Sequence, residues 1–135
     1  MAAEIWALVF MCLFVALAWF PASVAKKQAY GLRWLASNRE SEGLPPLPEW
    51  GQRAMRAHDN LRDNFPAWAA LVLLIIVMDW SSATSAWAAT LFPIARVGHM
   101  VSYIGGWFMP RFICYTVGLI CTLVLAGVAI CGLLA

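Results

Sequence analysis

The chain has 135 residues, 63% of them hydrophobic and only 12% charged, with a formal net charge of +2. Soluble domains average about 25% charged residues, so this chain has too few polar side chains to cover a water-soluble fold and reads as a one-domain membrane protein. The small charge excludes a nucleic-acid-binding surface, and neither end shows a lipidation or retention motif.

A helix needs about 20 apolar residues to cross the hydrocarbon core. The first such run is Ile5 to Ala25. It lacks the basic start of a signal peptide, and Trp6 and Trp19 stand near its ends as interfacial anchors. A long connection follows over residues 26–49, with Gly43, Pro45, Pro46 and Pro48 as turn signals. The second apolar run, Pro66 to Met78, is too short alone. Extended back to Trp50 it becomes a helix over 50–78, and the polar stretch "RAHDNLRDNFP" forms its first half. A third helix is expected over about 84–106 and a fourth, the most apolar, over about 111–134. The predicted fold is an all-α integral membrane bundle of four transmembrane helices.

Orientation follows from the basic residues. Lys26, Lys27, Arg33, Arg39, Arg53, Arg56 and Arg62 lie between the first two apolar runs and Arg111 between the last two, whereas the connection "DWSSA" has no Lys or Arg. The positive-inside rule places the first and third connections in the cytoplasm. Short loops and no retention signal point to a bacterial inner membrane. The four cysteines, Cys12, Cys114, Cys121 and Cys131, sit in apolar runs without a C-x-x-C pair or a His cluster, so no metal site is expected.

Polar residues recur at helical spacing inside these runs. Arg53, Arg56, Asn60 and Asp63 share one face of the second helix, with His58 and Arg62 on an adjoining line; Arg96, His99 and Tyr103 share a face of the third. A buried Arg costs about 2.5–3.5 kcal/mol on insertion scales and normally meets a partner or a wet cavity. Counting back from the turn near Asp79 puts Asp63 within one turn of Arg96 in height, so an Asp63–Arg96 pair is expected, with Asn60 and Tyr103 nearby. Arg111 follows Pro110 at a helix start, with Tyr115 one turn along, so a guanidinium and the positive end of a helix converge where an anion or a thiolate is stabilised.

"RAHDNLRDNFP" together with "ARVGHMVSYIGGWFMPRFICYT" resembles the MAPEG family, membrane-associated proteins in eicosanoid and glutathione metabolism, in its microsomal glutathione transferase and prostaglandin E synthase branch. The resemblance implies a homotrimer with glutathione bound between subunits near the cytoplasmic face. By position it assigns Arg56, His58, Asn60, Asp63, Arg96, His99, Tyr103 and Tyr115 to glutathione binding and Arg111 to stabilising the thiolate. Asp63 stands where the family usually has Glu, Asp59 where the prostaglandin synthase has a further arginine, and Phe112 where it has a serine. These departures favour thiol transfer or peroxide reduction over prostaglandin synthesis. The implied function is a membrane glutathione transferase or peroxidase, with glutathione as co-substrate and a lipophilic second substrate arriving from the membrane lipids. A non-catalytic lipid-binding or scaffold member of the family is the alternative.

Overall fold

The computed structural model describes residues 1–40 and 43–135. Five helical segments appear in chain order: α1 (Ala2–Leu17), α2 (Phe20–Leu35), α3 (Glu49–Val77), α4 (Ala83–Gly105) and α5 (Phe108–Leu134). They form four rods, because α1 runs into α2 through two residues that keep helical dihedrals, Ala18 and Trp19. Pro21 explains the interruption. It has no N–H for the carbonyl of Leu17, and the chain tightens there into a shorter-range bond from Ala18 N–H to Val15 O.

The first rod outlasts its apolar stretch. Residues 26–35, expected in the connection, continue helically except at Gly31, whose φ of 83° breaks the geometry. Lys, Gln, Ala and Leu are good helix formers, so the end of hydrophobicity was not the end of the helix. The connection then folds on itself through the Tyr30 hydroxyl donating to Pro45 O (2.9 Å) and the Trp34 indole donating to Glu40 O (2.9 Å). The other three rods start and stop within about three residues of the expected limits.

Two tight connections set the register of α3, α4 and α5. Ser82 and Ser85 form a capping box at the start of α4, and the Ser85 hydroxyl also donates to Glu4 Oε1 at 2.7 Å, tying α1 to the same end. At the other end Gly106 takes the left-handed conformation (φ 78°), and Trp107 N–H reaches back to Ser102 O at 2.9 Å, which turns the chain sharply into α5.

The core is centred on Met11, Leu61, Trp68, Val72, Ile75, Phe92 and Leu125. Small residues let the rods approach: Ala88, Ala89 and Ala95 on α4 are buried, and Gly98 lies against α5, the most extensive partner of α4. A Cβ on Gly98 would stand 2.9 Å from Cys114 Sγ. The outer surface is the inverse of a soluble protein's. Trp6, Trp87 and Val77 are each more than 70% exposed, in a belt with Leu17, Ile94 and Leu123, and so large an apolar surface requires lipid or another protein against it. Among the described residues three helical stretches, Ala2–Leu35, Glu49–Val77 and Phe108–Leu134, are long and apolar enough to cross a membrane. The fold is an all-helical integral membrane protein.

Candidate functional site

The polar side chains form one seam where α3, α4 and α5 meet. Arg96 and His99 on α4 are 1% and 4% exposed. Four turns of α4 contribute Phe92, Arg96, His99 and Tyr103, at helical spacing on one side. The antiparallel α5 answers in reverse order. Arg111 Cζ lies 4.7 Å from the Tyr103 ring centroid, the Tyr115 ring 6.0 Å from that of His99, and Gly118 against the guanidinium of Arg96. Each turn along one helix thus meets a turn of the other.

Arg96 is held from three sides. Nη1 donates to Asn60 Oδ1 at 3.5 Å and Nη2 to Asn64 Oδ1 at 3.2 Å. Its Cζ lies 4.8 Å from the Phe92 ring centroid and 5.5 Å from that of Tyr115, within cation–π range. Asn64 donates its amide N–H to Asn60 O at 2.8 Å, which turns Oδ1 toward Arg96. Gly118 leaves the space: a Cβ there would lie 2.9 Å from Nη2 and 3.0 Å from Cζ. Nε is buried without a hydrogen-bond partner. Among the described residues no carboxylate pairs with this buried cation.

The expected Asp63–Arg96 pair does not form. Asp63 is exposed and makes no ion pair or hydrogen bond among the described residues. The height was right, since Asn60 and Asn64 bracket Asp63, but the rotation was not. At about 100° per residue, Asn60 and Asn64 lie about 40° apart around α3, whereas Asp63 is turned about 100° away from Asn64. The face centred on the two asparagines is the one that meets α4.

The other candidates divide accordingly. Asn60, Arg96, His99, Tyr103, Tyr115 and Arg111 come together in the seam. Arg56 is exposed and donates to Gln52 Oε1 at 3.3 Å. His58 lies on another face of α3, its Nδ1 4.0 Å from Asp59 Oδ1, and lines a hollow shared with α2. Asn64, Phe92 and Gly118 were missed by sequence reasoning. Asn64 was readable as the residue one turn after Asn60, and Gly118 as the small residue two turns after Arg111.

The seam grades from closed to open. Arg96 and His99 are buried, while Tyr103, Tyr115 and Arg111 are half-buried and lead to the exposed start of α5. That start has no side-chain cap: Trp107 precedes the helix, and Pro110 in the first turn adds no N–H. Its free backbone N–H groups and the helix dipole favour an anion beside Arg111. A cationic, aromatic cluster that is buried at Arg96 and half-exposed at Arg111 favours an anion at its outer end.

A helical membrane protein with an arginine–aromatic seam at one end of the bundle is the class that fold and site define. The chain belongs to the MAPEG family, whose model matches residues 3–131. Comparison with curated proteins and with solved structures finds no match. The family reading carries a general connection to glutathione or eicosanoid metabolism in the membrane.

Proposed function

We propose that the protein is a membrane glutathione transferase, with hydroperoxide reduction as its second capacity, and that the seam is its glutathione site. The observation that carries the reading is Arg96: a guanidinium 1% exposed and, among the described residues, bonded only to neutral amide oxygens. A buried charge without a counter-charge is costly, and a bound carboxylate would supply one. Glutathione brings two carboxylates and a thiol.

In this reading Arg96, steadied by Asn60 and Asn64, meets a glutathione carboxylate, with His99, Tyr103 and Tyr115 as the walls. Arg111, at the open end beside the start of α5, faces the sulfur and favours the thiolate. The thiolate attacks an electrophilic carbon, a C–S bond forms, and the leaving group departs with the bonding electrons. Asp63, since it does not hold Arg96, is free to accept from the glutathione amine, and Arg56 is free on the same flank. His58 is not part of this site.

The proposed assembly is a homotrimer of four-span protomers, with α4 as the span of lowest hydropathy, packed against α1, α3 and α5. The end carrying Arg111 and residues 26–49 is proposed to face the cytoplasm of a bacterial inner membrane, consistent with its concentration of Lys and Arg. The lipophilic substrate would come from the bilayer. The test is conjugation of glutathione to an aromatic halide by the detergent-purified protein, with Arg111→Ala alongside. Turnover that falls in the variant supports the assignment. Absence of both turnover and glutathione binding in the wild type rejects it.

A further inference from the structure

A second polar hollow, of about 480 Å³, lies between α2 and α3 on a side of α3 away from the Arg96 seam. Trp19, Ala22, Ser23 and Lys26 line it from α2, which is one face at helical spacing, and Met55, His58, Asp59 and Arg62 line it from α3 in the same way. Arg39 closes it from the connection. Lys26, Arg39 and Arg62 face it with one acid, Asp59, whose Oδ1 lies 3.9 Å from Arg62 Nη1 and 4.0 Å from His58 Nδ1. Three fixed cations against one anion leave the hollow positive.

Two features show that the hollow is built rather than incidental. Arg39 sits at φ 59°, a conformation rare for a non-glycine residue, and is held there by its N–H on Ser37 Oγ (3.2 Å) and its Nε on Leu35 O (3.2 Å). The hollow also stands at a definite depth. Gly51 packs on Ala25, where a Cβ would come within 2.6 Å of Ala25 Cβ. Counting along the antiparallel helices from that contact, Trp19 is level with about His58, and Arg62 lies a turn further toward the apolar half. Trp19 lines it on that side and is exposed, as are Leu17 and Phe20 beside it in the chain. Cations therefore sit at the level where an aromatic residue marks the edge of the apolar zone.

We propose that this hollow is a binding site for the phosphate of an anionic membrane lipid, held by Lys26, Arg39 and Arg62. Basic pockets between membrane helices at headgroup level bind such headgroups, and guanidinium groups are suited to phosphate. The exposed apolar border next to the cations distinguishes a lipid from a soluble phosphate, because the acyl chains have a surface to lie on. Binding there would join the first rod to α3 on the side that the Arg96 seam does not reach.

The test uses the whole protein in nanodiscs of mixed phosphatidylcholine and phosphatidylglycerol, with retained lipid read by native mass spectrometry. Phosphatidylglycerol should be retained about tenfold over its share of the bilayer. A Lys26→Gln/Arg62→Gln variant should lose that enrichment, while Arg33→Gln, which removes an exposed cation outside the hollow, and Arg62→Lys should keep it. Should the double variant not fold, Asp59→Asn serves, and there the enrichment should rise. Three outcomes overturn the proposal: no enrichment in the wild type, equal loss in Arg33→Gln, or displacement of the lipid by soluble glycerol phosphate or glutathione.

Discussion

Gly118 on α5 lies where any side chain would collide with the guanidinium of Arg96 on α4, a Cβ coming within 2.9 Å of Nη2. The missing side chain is what lets a charged group sit inside the bundle between two aromatic rings. Glycine within a helix costs roughly 1 kcal/mol relative to Ala, and here that cost makes the recess possible.

Gly118→Ala should therefore act on the site rather than on the helix. Alanine improves local helix propensity, but its methyl displaces Arg96 from Asn60 and Asn64. Overpacking of this kind costs about 1–3 kcal/mol, so glutathione affinity should fall by about tenfold or more. Helix content by circular dichroism should stay unchanged. Unaltered affinity would show that Arg96 does not need its present position.

Asn64 and Asp63 are neighbours in sequence with different partners, and their variants should separate. Asn64→Ala removes a hydrogen bond to a charged group, worth about 1.5–3 kcal/mol, and should lower thermal stability. A double-mutant cycle with Arg96→Met should give a coupling energy of comparable size. Asp63→Ala should leave stability unchanged and reduce glutathione affinity alone. Coupling between Asp63 and Arg96 in the same cycle would contradict the geometry described above.

The role proposed for Arg111 is a shift in the acidity of the bound thiol. A cation beside the sulfur favours the thiolate and lowers its pKa, so removing it raises the pKa and moves the onset of activity to higher pH. Arg111→Ala should move the pH–kcat profile upward by about one unit, corresponding to about 1.4 kcal/mol. Arg111→Lys should restore part of the shift. A loss of kcat with no movement of the profile would assign Arg111 to positioning alone.

Gly51 tests the packing of the first rod. Its side-chain space is already occupied by Ala25, 2.6 Å from where a Cβ would be. Gly51→Ala should cost about 1–3 kcal/mol, seen as a lower melting temperature. Far from the seam, it should leave glutathione affinity per folded molecule unchanged.

Much of the architecture was legible in the sequence, because apolar runs and helical period respond to the same physics that builds the bundle. The span from Trp50 to Met78 was recoverable only by reading its polar first half as helix, and it is found at Glu49–Val77. Arg96, His99 and Tyr103 could be grouped by spacing alone. Two kinds of information were not legible. The first rod's extension to Leu35 was hidden because hydropathy registers lipid contact, not helix propensity. The partner of Arg96 was hidden because spacing along α3 fixes which residues share a face but not which face turns to α4. Asp63 offered the obvious charge, yet packing put Asn60 and Asn64 against the guanidinium. Spacing put Gly118 two turns after Arg111, but its role exists only against a side chain on another helix.

The central claim is that buried Arg96, which no carboxylate among the described residues pairs with, takes an anionic ligand. Calorimetric titration of glutathione into the detergent-purified protein, wild type against Arg96→Gln, tests it most directly. Saturable binding in the wild type, weakened about tenfold or more in the variant as expected for a charged hydrogen-bonded contact, is the expected result. Equal affinity in a folded Arg96→Gln protein, or no binding in the wild type, would contradict it.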